Sequence, residues 1–430
     1  MTLTQNTAVL SEDAFEDEAT SGPARARLLL ERWGGAPLLF FALLPDKQYL
    51  LGDSSGDGWG VACRTVGRHT LALGDPLGDP AKVSEAVAAF LAFCRKRGKA
   101  PAFYQVTADH LGTYKAAGLK AVKVGEDAQI DLADFALAGK RFKTLRNDLR
   151  RVEKAGVTLE TYGVGDAPPP HVADEMEDIS RGWRRAHRAG EGNFAMGGFD
   201  AGSALFRESR CFIARDSETG RMLAFTTFVP AFGPGRVDGW TLDLMRRRAD
   251  ALHGVMDFLI VSAAQAFAAE GAVRLSLGLS PLAGADDRAE SAALACVRRF
   301  LFQRLNRVYN FQGLHTFKGK FATHWEPRYL VYRHGAALAA TGGAIVRAHL
   351  SAPATLAPRP VRVSGPARRA GLVLGALLLL LMTPFEKTLA HRLAQTPRRW
   401  HLHRAVRFHA PHLRTARRLA PERPRTVLSP

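Results

Sequence analysis

Between Pro37 and Tyr332 short apolar runs alternate with stretches of helical period, and this alternation restricts the chain to the α/β class. The Ala/Arg/Leu pattern of Ala24–Trp33 predicts a helix, and the apolar run Pro37–Leu44 predicts a buried strand. Further strands are predicted at Tyr49–Gly52, Gly60–Val66, Thr70–Gly74 and Ala102–Val106. Lys82–Arg97 places Val83, Val87, Phe90, Leu91 and Cys94 on one helical face, and Leu111–Ala117 reads as a short helix. Lys140–Ala155 is a basic helix: Phe142, Leu145, Leu149 and Val152 form its apolar stripe, and Lys143, Arg146, Arg150, Arg151 and Lys154 crowd the other sides. The pattern then resumes with a helix at Ala173–Ala186 and strands at Cys211–Arg215, Met222–Pro230 and Trp240–Met245. A helix at Val255–Ala269, a strand at Val273–Leu277, a helix at Ala289–Arg304 and a closing strand at Tyr329–Tyr332 complete it. The two halves, 23–139 and 140–335, have similar size and order.

The ends differ from this body. Residues 1–22 read as a disordered acidic leader, with five acids and no Lys or Arg among the first 20. The proline-rich stretch within 336–366 reads as a linker. Residues 367–430 combine an uncharged run, Ala370–Phe385, with a tail carrying eleven bases against two acids, half of the net charge of +18. Sixteen residues of helix span roughly 24 Å against a bilayer core of ~30 Å, so the run is marginal for crossing. Two readings follow: a helix packed on the core, or partial insertion at an anionic surface held by flanking arginines. Four scattered cysteines without C-x-x-C spacing exclude a disulfide scaffold and a zinc ribbon.

Candidate chemistry concentrates in the second half. Asp243-Leu244-Met245-Arg246 ends a predicted strand, where an acid can orient an amine and an arginine can bind a carboxylate or phosphate; a surface ion pair is the plainer alternative. Ala251–Asp257 enters a helix and offers free N–H groups to an anion. The Q/R-x-x-G-x-G/A loop that grips coenzyme A in acetyltransferase folds is absent, since Arg247–Leu252 holds no glycine pair. In Phe317-Lys318-Gly319-Lys320-Phe321, read as extended, both lysines fall on one side and both aromatics on the other. Trp183 to Asp200, with Glu191, Phe194 and several glycines, reads as a mobile loop able to cover a cleft. Nothing supports nucleophilic catalysis: no Ser lies in G-x-S-x-G, and His69, His253 and His324 are isolated.

These residues, taken in order, resemble a known family. The pieces are Gly74-Asp75-Pro76-Leu77-Gly78, Gly125–Leu132, Leu145-Arg146-Asn147, Glu153–Gly156, and Trp183 with Glu191, Phe194 and Gly197–Asp200. They continue with Asp243–Arg246, Gly254–Leu259, Leu277–Leu282, Tyr309-Asn310-Phe311, Phe317–Phe321 and Trp325–Leu330. Over about residues 35–335 the chain resembles the C-terminal synthase region of the phosphatidylglycerol lysyltransferases and alanyltransferases, the multiple peptide resistance factor family. The resemblance implies two tandem acetyltransferase-like (GNAT) domains, each a mixed sheet flanked by helices, joined by a basic helix, with the chemistry in the second. It implies transfer of an aminoacyl group, lysyl or alanyl, from aminoacyl-tRNA to phosphatidylglycerol or a related lipid. It assigns Asp243, Arg246, Lys318, Lys320 and Glu191 to catalysis, and Trp183, Phe194, His253, Ser280, Arg146 and Arg150 to substrate binding. No cofactor or metal is implied and no coenzyme A; the expected partners are aminoacyl-tRNA and an anionic membrane at its cytoplasmic face, bound peripherally or by shallow insertion. Family members usually carry a flippase region ahead of this one, so flipping of product is not expected. The chain departs from the family at Thr323, at Ser280 and at Arg184–His187. The alternatives are an enzyme of the same fold with another donor or acceptor, and a non-catalytic protein that binds nucleic acid or membrane.

Overall fold

A computed structural model describes residues 22–52, 58–133, 135–187, 194–281, 311–334 and 338–350. The predicted helix at 289–304, Glu191, and the segments 1–21 and 351–430 lie outside the described residues.

The first half runs α1 (Gly22–Trp33), a 3₁₀ segment (Pro37–Leu43), β1 (Gln48–Gly52), β2 (Trp59–Val66), β3 (His69–Leu73), β4 (Leu77–Gly78), α2 (Val83–Lys96), β5 (Ala100–Val106), α3 (Leu111–Ala116) and β6 (Lys120–Asp131). The second runs α4 (Lys143–Lys154), β7 (Val157–Tyr162), α5 (Pro170–His187), α6 (Ala204–Arg207), β8 (Arg210–Asp216), β9 (Met222–Gly233) and β10 (Arg236–Arg247). It ends with α7 (Val255–Ala269), β11 (Arg274–Pro281), α8 (Phe311–Gly319), β12 (His324–Tyr332) and α9 (Leu338–Leu350).

Twelve strands form one mixed sheet in the order β1-β2-β3-β5-β12-β6-β11-β10-β9-β8-β7, with β4 paired to β2. Two pairs are parallel, β3/β5 and β10/β11, each crossing over through one helix, α2 or α7. The halves interlock: β12 lies between β5 and β6, and β6 pairs with β11.

Side chains alternate across the sheet and feed separate cores. Phe212, Phe228, Leu242 and Leu275 pack on one face under α4 and α7. Ile213, Phe225 and Leu244 pack on the other under Val172, Met176 and Ile179 of α5.

Two stretches fold differently from what their sequence predicts. Pro37–Leu44 is not a strand: Pro at the first turn removes a ladder donor, and the segment coils into a 3₁₀ turn whose Pro37 carbonyl accepts from the Thr241 hydroxyl at 3.0 Å. Residues 338–350, expected within a linker, form α9, which packs Ala344, Ile345 and Ala348 against the first-half core. The strand β6 has no apolar run to announce it, because Asp127 and Gln129 point inward.

Asp127 meets a guanidinium there. Arg328 of β12, 1% exposed, donates to Asp127 at 2.8 Å and to Glu326 at 2.8 Å. Ser276 of β11 donates to Asp127 at 2.8 Å, and the Gln129 amide donates to it at 2.9 Å. One carboxylate thus ties three strands drawn from both halves. Removing one partner strands a buried charge, so Arg328→Met is expected to lower stability by about 3–5 kcal/mol. The double change Asp127→Asn with Arg328→Met is expected to lose less. Urea midpoints at unchanged slope check both.

Candidate active site

The strands β10 and β11 stay paired only through Gly239↔Arg274, Trp240↔Leu275 and Thr241↔Ser276. Beyond that point both continue, β10 against β9 and β11 against β6, so a gap opens between them. Each strand has a register break where the gap begins, between Leu242 and Leu244 on β10 and between Ser276 and Leu279 on β11. Such bulges re-aim side chains.

The β10 break presents Asp243. The Gly197 N–H donates to Asp243 Oδ1 at 2.8 Å. A Cβ at position 197 would stand 2.6 Å from Asp243 Oδ2, so a side chain there would push the carboxylate out of this position. Three residues along, Arg246 lies buried with its guanidinium 3.7 Å over the ring of Trp183 on α5. A desolvated cation on an indole face is held at a fixed position while keeping its charge.

The β11 break is shaped from beneath. Ser276, while donating to Asp127, accepts from the Gly278 N–H at 3.0 Å. Gly278 has φ +78°, and its carbonyl and that of Leu279 both accept from Lys318 Nζ at 2.9 Å. Burial lowers the Lys318 ammonium to a pKa of about 8, against the opposing pull of Asp127.

Lys320 belongs to the opposite face from Arg246. It donates to both oxygens of Asp257 in the first turn of α7, at 2.9 and 3.1 Å. Burial raises the Asp257 pKa, and Lys320 opposes that shift. The pair lines a cleft of ≈380 Å³ whose walls include Met245, Leu252, Met256 and Phe317, with Arg247 and His253 also lining it. His253 is exposed, its Nδ1 3.8 Å from the carboxylate of Asp148 on α4. The segment Phe317–Phe321 is therefore not extended. It ends helix α8, so Phe317 and Phe321, four apart, stack edge to face at 5.3 Å and the two lysines diverge.

The remaining candidates are spread out. Arg146 donates to the Gly139 carbonyl at 2.9 Å and holds the loop before α4. Arg150 is exposed on α4, 3.5 Å from Asn147. Ser280 is buried on β11, and its hydroxyl has no partner among the described residues. Phe194 is 0% exposed. Asp257 was not legible as a site residue, because an acid in a first helical turn reads as dipole compensation; nor was Asp148, midway along the basic helix α4, and only packing shows that both are buried.

A family model described as phosphatidylglycerol lysyltransferase, C-terminal, matches residues 27–332. The chain is 29% identical over 322 residues to the phosphatidylglycerol lysyltransferase of Bacillus subtilis (strain 168), covering 74% of this chain and 36% of that protein. It thus spans about a third of the length of the curated relatives it matches. Among solved structures it is similar to the C-terminal domain of a putative lysylphosphatidylglycerol synthetase from Agrobacterium fabrum, at 31% identity and TM-score 0.65, covering 77% of this chain and 98% of that one. It is also similar to L-PGS from Bacillus licheniformis, at 26% identity and TM-score 0.63, with the same coverage.

The Lys318 ammonium makes the fold sensitive to alkaline pH. Below about pH 8 it is protonated in both folded and unfolded chains, and the burial penalty is complete. Between about 8 and 10.5 only the unfolded chain keeps the proton, so stability rises with pH. The stability of the wild type relative to Lys318→Met is expected to increase across that window in urea titrations; a flat difference contradicts the burial.

Proposed function

This chain belongs to the family of the phosphatidylglycerol lysyltransferase C-terminal region, and from that premise we propose that it moves an aminoacyl group, lysyl or alanyl, from aminoacyl-tRNA to a hydroxyl of phosphatidylglycerol or a related membrane lipid. The observation that carries the reading is the gap between β10 and β11, with Asp243 and Arg246 on one face and Lys320 with its cleft on the other.

The donor ester is already activated. The acceptor hydroxyl oxygen attacks the ester carbonyl carbon, the ribose oxygen leaves with its bonding electrons, and the proton of the hydroxyl ends on that oxygen. One ester replaces another, so the protein must position two reactants, move one proton and stabilise an oxyanion. Asp243 is placed to orient an amine or hydroxyl, and Arg246 offers a cation fixed by Trp183. Lys318 holds the carbonyls of Gly278 and Leu279 at the β11 break. Glu191, in the segment between Trp183 and Phe194, is assigned to the covering loop.

We read 23–139 and 140–335 as two acetyltransferase-like units. Support comes from their shared plan, an antiparallel run closed by one parallel pair across a helix. The second opens the gap and is the catalytic one. In place of a glycine-rich pyrophosphate loop, β10 leads to α7 through Arg248–Leu252 and a left-handed Gly254, which supports a charged tRNA as donor. Among the described residues no helix is long and apolar enough to cross a membrane. Attachment is assigned to the apolar run and basic tail of 367–430, acting on anionic headgroups at the cytoplasmic face.

With labelled amino acid, its synthetase, tRNA and phosphatidylglycerol vesicles, the chain is expected to label lipid, and ribonuclease to abolish that labelling. Asp243→Asn is expected to lower kcat by about 10²-fold or more while the melting temperature holds. Labelling that survives ribonuclease contradicts the proposed donor.

A further inference from the structure

Among the described residues, Gln105 and Phe194 are the two non-glycine residues with positive φ, +65° and +78°. Both adjoin Tyr104. Gln105 is the residue skipped where β5 changes register against β12, and its neighbour Tyr104 lies 6.2 Å from Phe194 with rings 20° apart. The His349 ring of α9 stands edge-on to both, 5.6 Å from Tyr104 and 5.8 Å from Phe194. Lys47 closes the box with its ammonium 5.1 Å from the Phe194 ring centre. Asp46 holds Lys47 and also accepts from Arg64 at 3.0 Å, and Arg64 donates to the Ala348 carbonyl at 2.8 Å, which fixes the end of α9.

A bulky side chain in the left-handed region persists only where its surroundings over-determine it. Here β5, α9 and the Asp46–Lys47 turn do so, and α9 lies beyond the span 27–332 matched by the family model. Three residues after Phe194, the Gly197 N–H reaches Asp243, and Ala195 and Leu205 pack on the same core as the box.

We propose that the box of Tyr104, Phe194, His349 and Lys47 is the positioning device for Asp243. The first half and α9 lock Phe194, Phe194 sets the turn to Gly197, and the Gly197 N–H aims the carboxylate into the gap. Phe194 therefore acts as a positioning residue rather than as a contact for substrate. This rests on the reading that Asp243 serves the transfer reaction.

The test uses the full chain in the lipid-labelling assay, with Asp243→Asn, Phe194→Leu, His349→Leu and His349→Phe, and follows amide exchange at Gly197. Phe194→Leu and His349→Leu are each expected to lower kcat by about tenfold or more, with KM for tRNA and lipid within about twofold. His349→Phe, which keeps an aromatic edge, is expected to restore kcat to within about threefold of wild type. The double variant Phe194→Leu/Asp243→Asn is expected to be no slower than Asp243→Asn alone. Gly197 exchange is expected to accelerate by about tenfold in Phe194→Leu while β10 keeps its protection. A raised KM at unchanged kcat would make Phe194 a substrate contact and overturn the proposal, as would wild-type kcat in His349→Leu. Loss in Asp243→Asn with wild-type kcat in Phe194→Leu overturns the positioning claim alone. Full turnover in Asp243→Asn removes the catalytic reading itself.

Discussion

A carboxylate enclosed by three strands has to be neutralised where it stands, because water cannot reach it. Asp127 receives Arg328, Ser276 and Gln129, and these partners come from β12, β11 and its own strand. Continuity of the sheet between the two halves runs through this point. The same set of bonds reaches the candidate site. Ser276 is the last β11 residue paired with β10, and its hydroxyl bridges Asp127 to the Gly278 N–H. Gly278 then takes the left-handed turn that carries β11 away from β10, and Lys318 caps the carbonyls left behind. A buried ion pair is weak evidence for stability in itself. In this fold its consequence is geometric, since it decides where two parallel strands part.

The parted strands give a site with two faces. On the α5 face a carboxylate and an arginine are held by a backbone N–H and an indole ring. On the α7 face an ammonium and a carboxylate line a cleft walled also by Met245, Leu252, Met256 and Phe317. Exchange of one ester for another asks for reactants brought together across such a gap, with charge fixed before the reaction begins. Each of these four charged groups is held by a partner on the protein, so the proposed transfer would start with its charges already in place.

The α/β class and most strands and helices were legible because their apolar periodicity is strong, as in Val83–Cys94 and Met222–Pro230. The failures have physical causes. Pro37–Leu44 carries the composition of a buried strand but begins with a residue that cannot donate to a ladder. Strand β6 buries Asp127 and Gln129, so a pattern built on apolar residues passes over it. Phe317–Phe321 fits an alternating strand and a helix end equally well, and only α8 shows that its lysines part company. Asp243 and Arg246 stood out as a motif, yet what holds them, Gly197 and Trp183, lies far away in sequence. Likewise Lys47, Tyr104 and His349 meet around Phe194 through the fold alone.

The proposed aminoacyl transfer takes place at the gap where β10 leaves β11. A crystal structure of the full chain with a non-hydrolysable 3′-aminoacyl-amide adenosine tests it most directly. The amide carbonyl is expected at the gap between Asp243 and Gly278, with the aminoacyl end within reach of Asp243 or Arg246. Density for the analogue elsewhere on the sheet, with the gap left empty at saturating ligand, would contradict it.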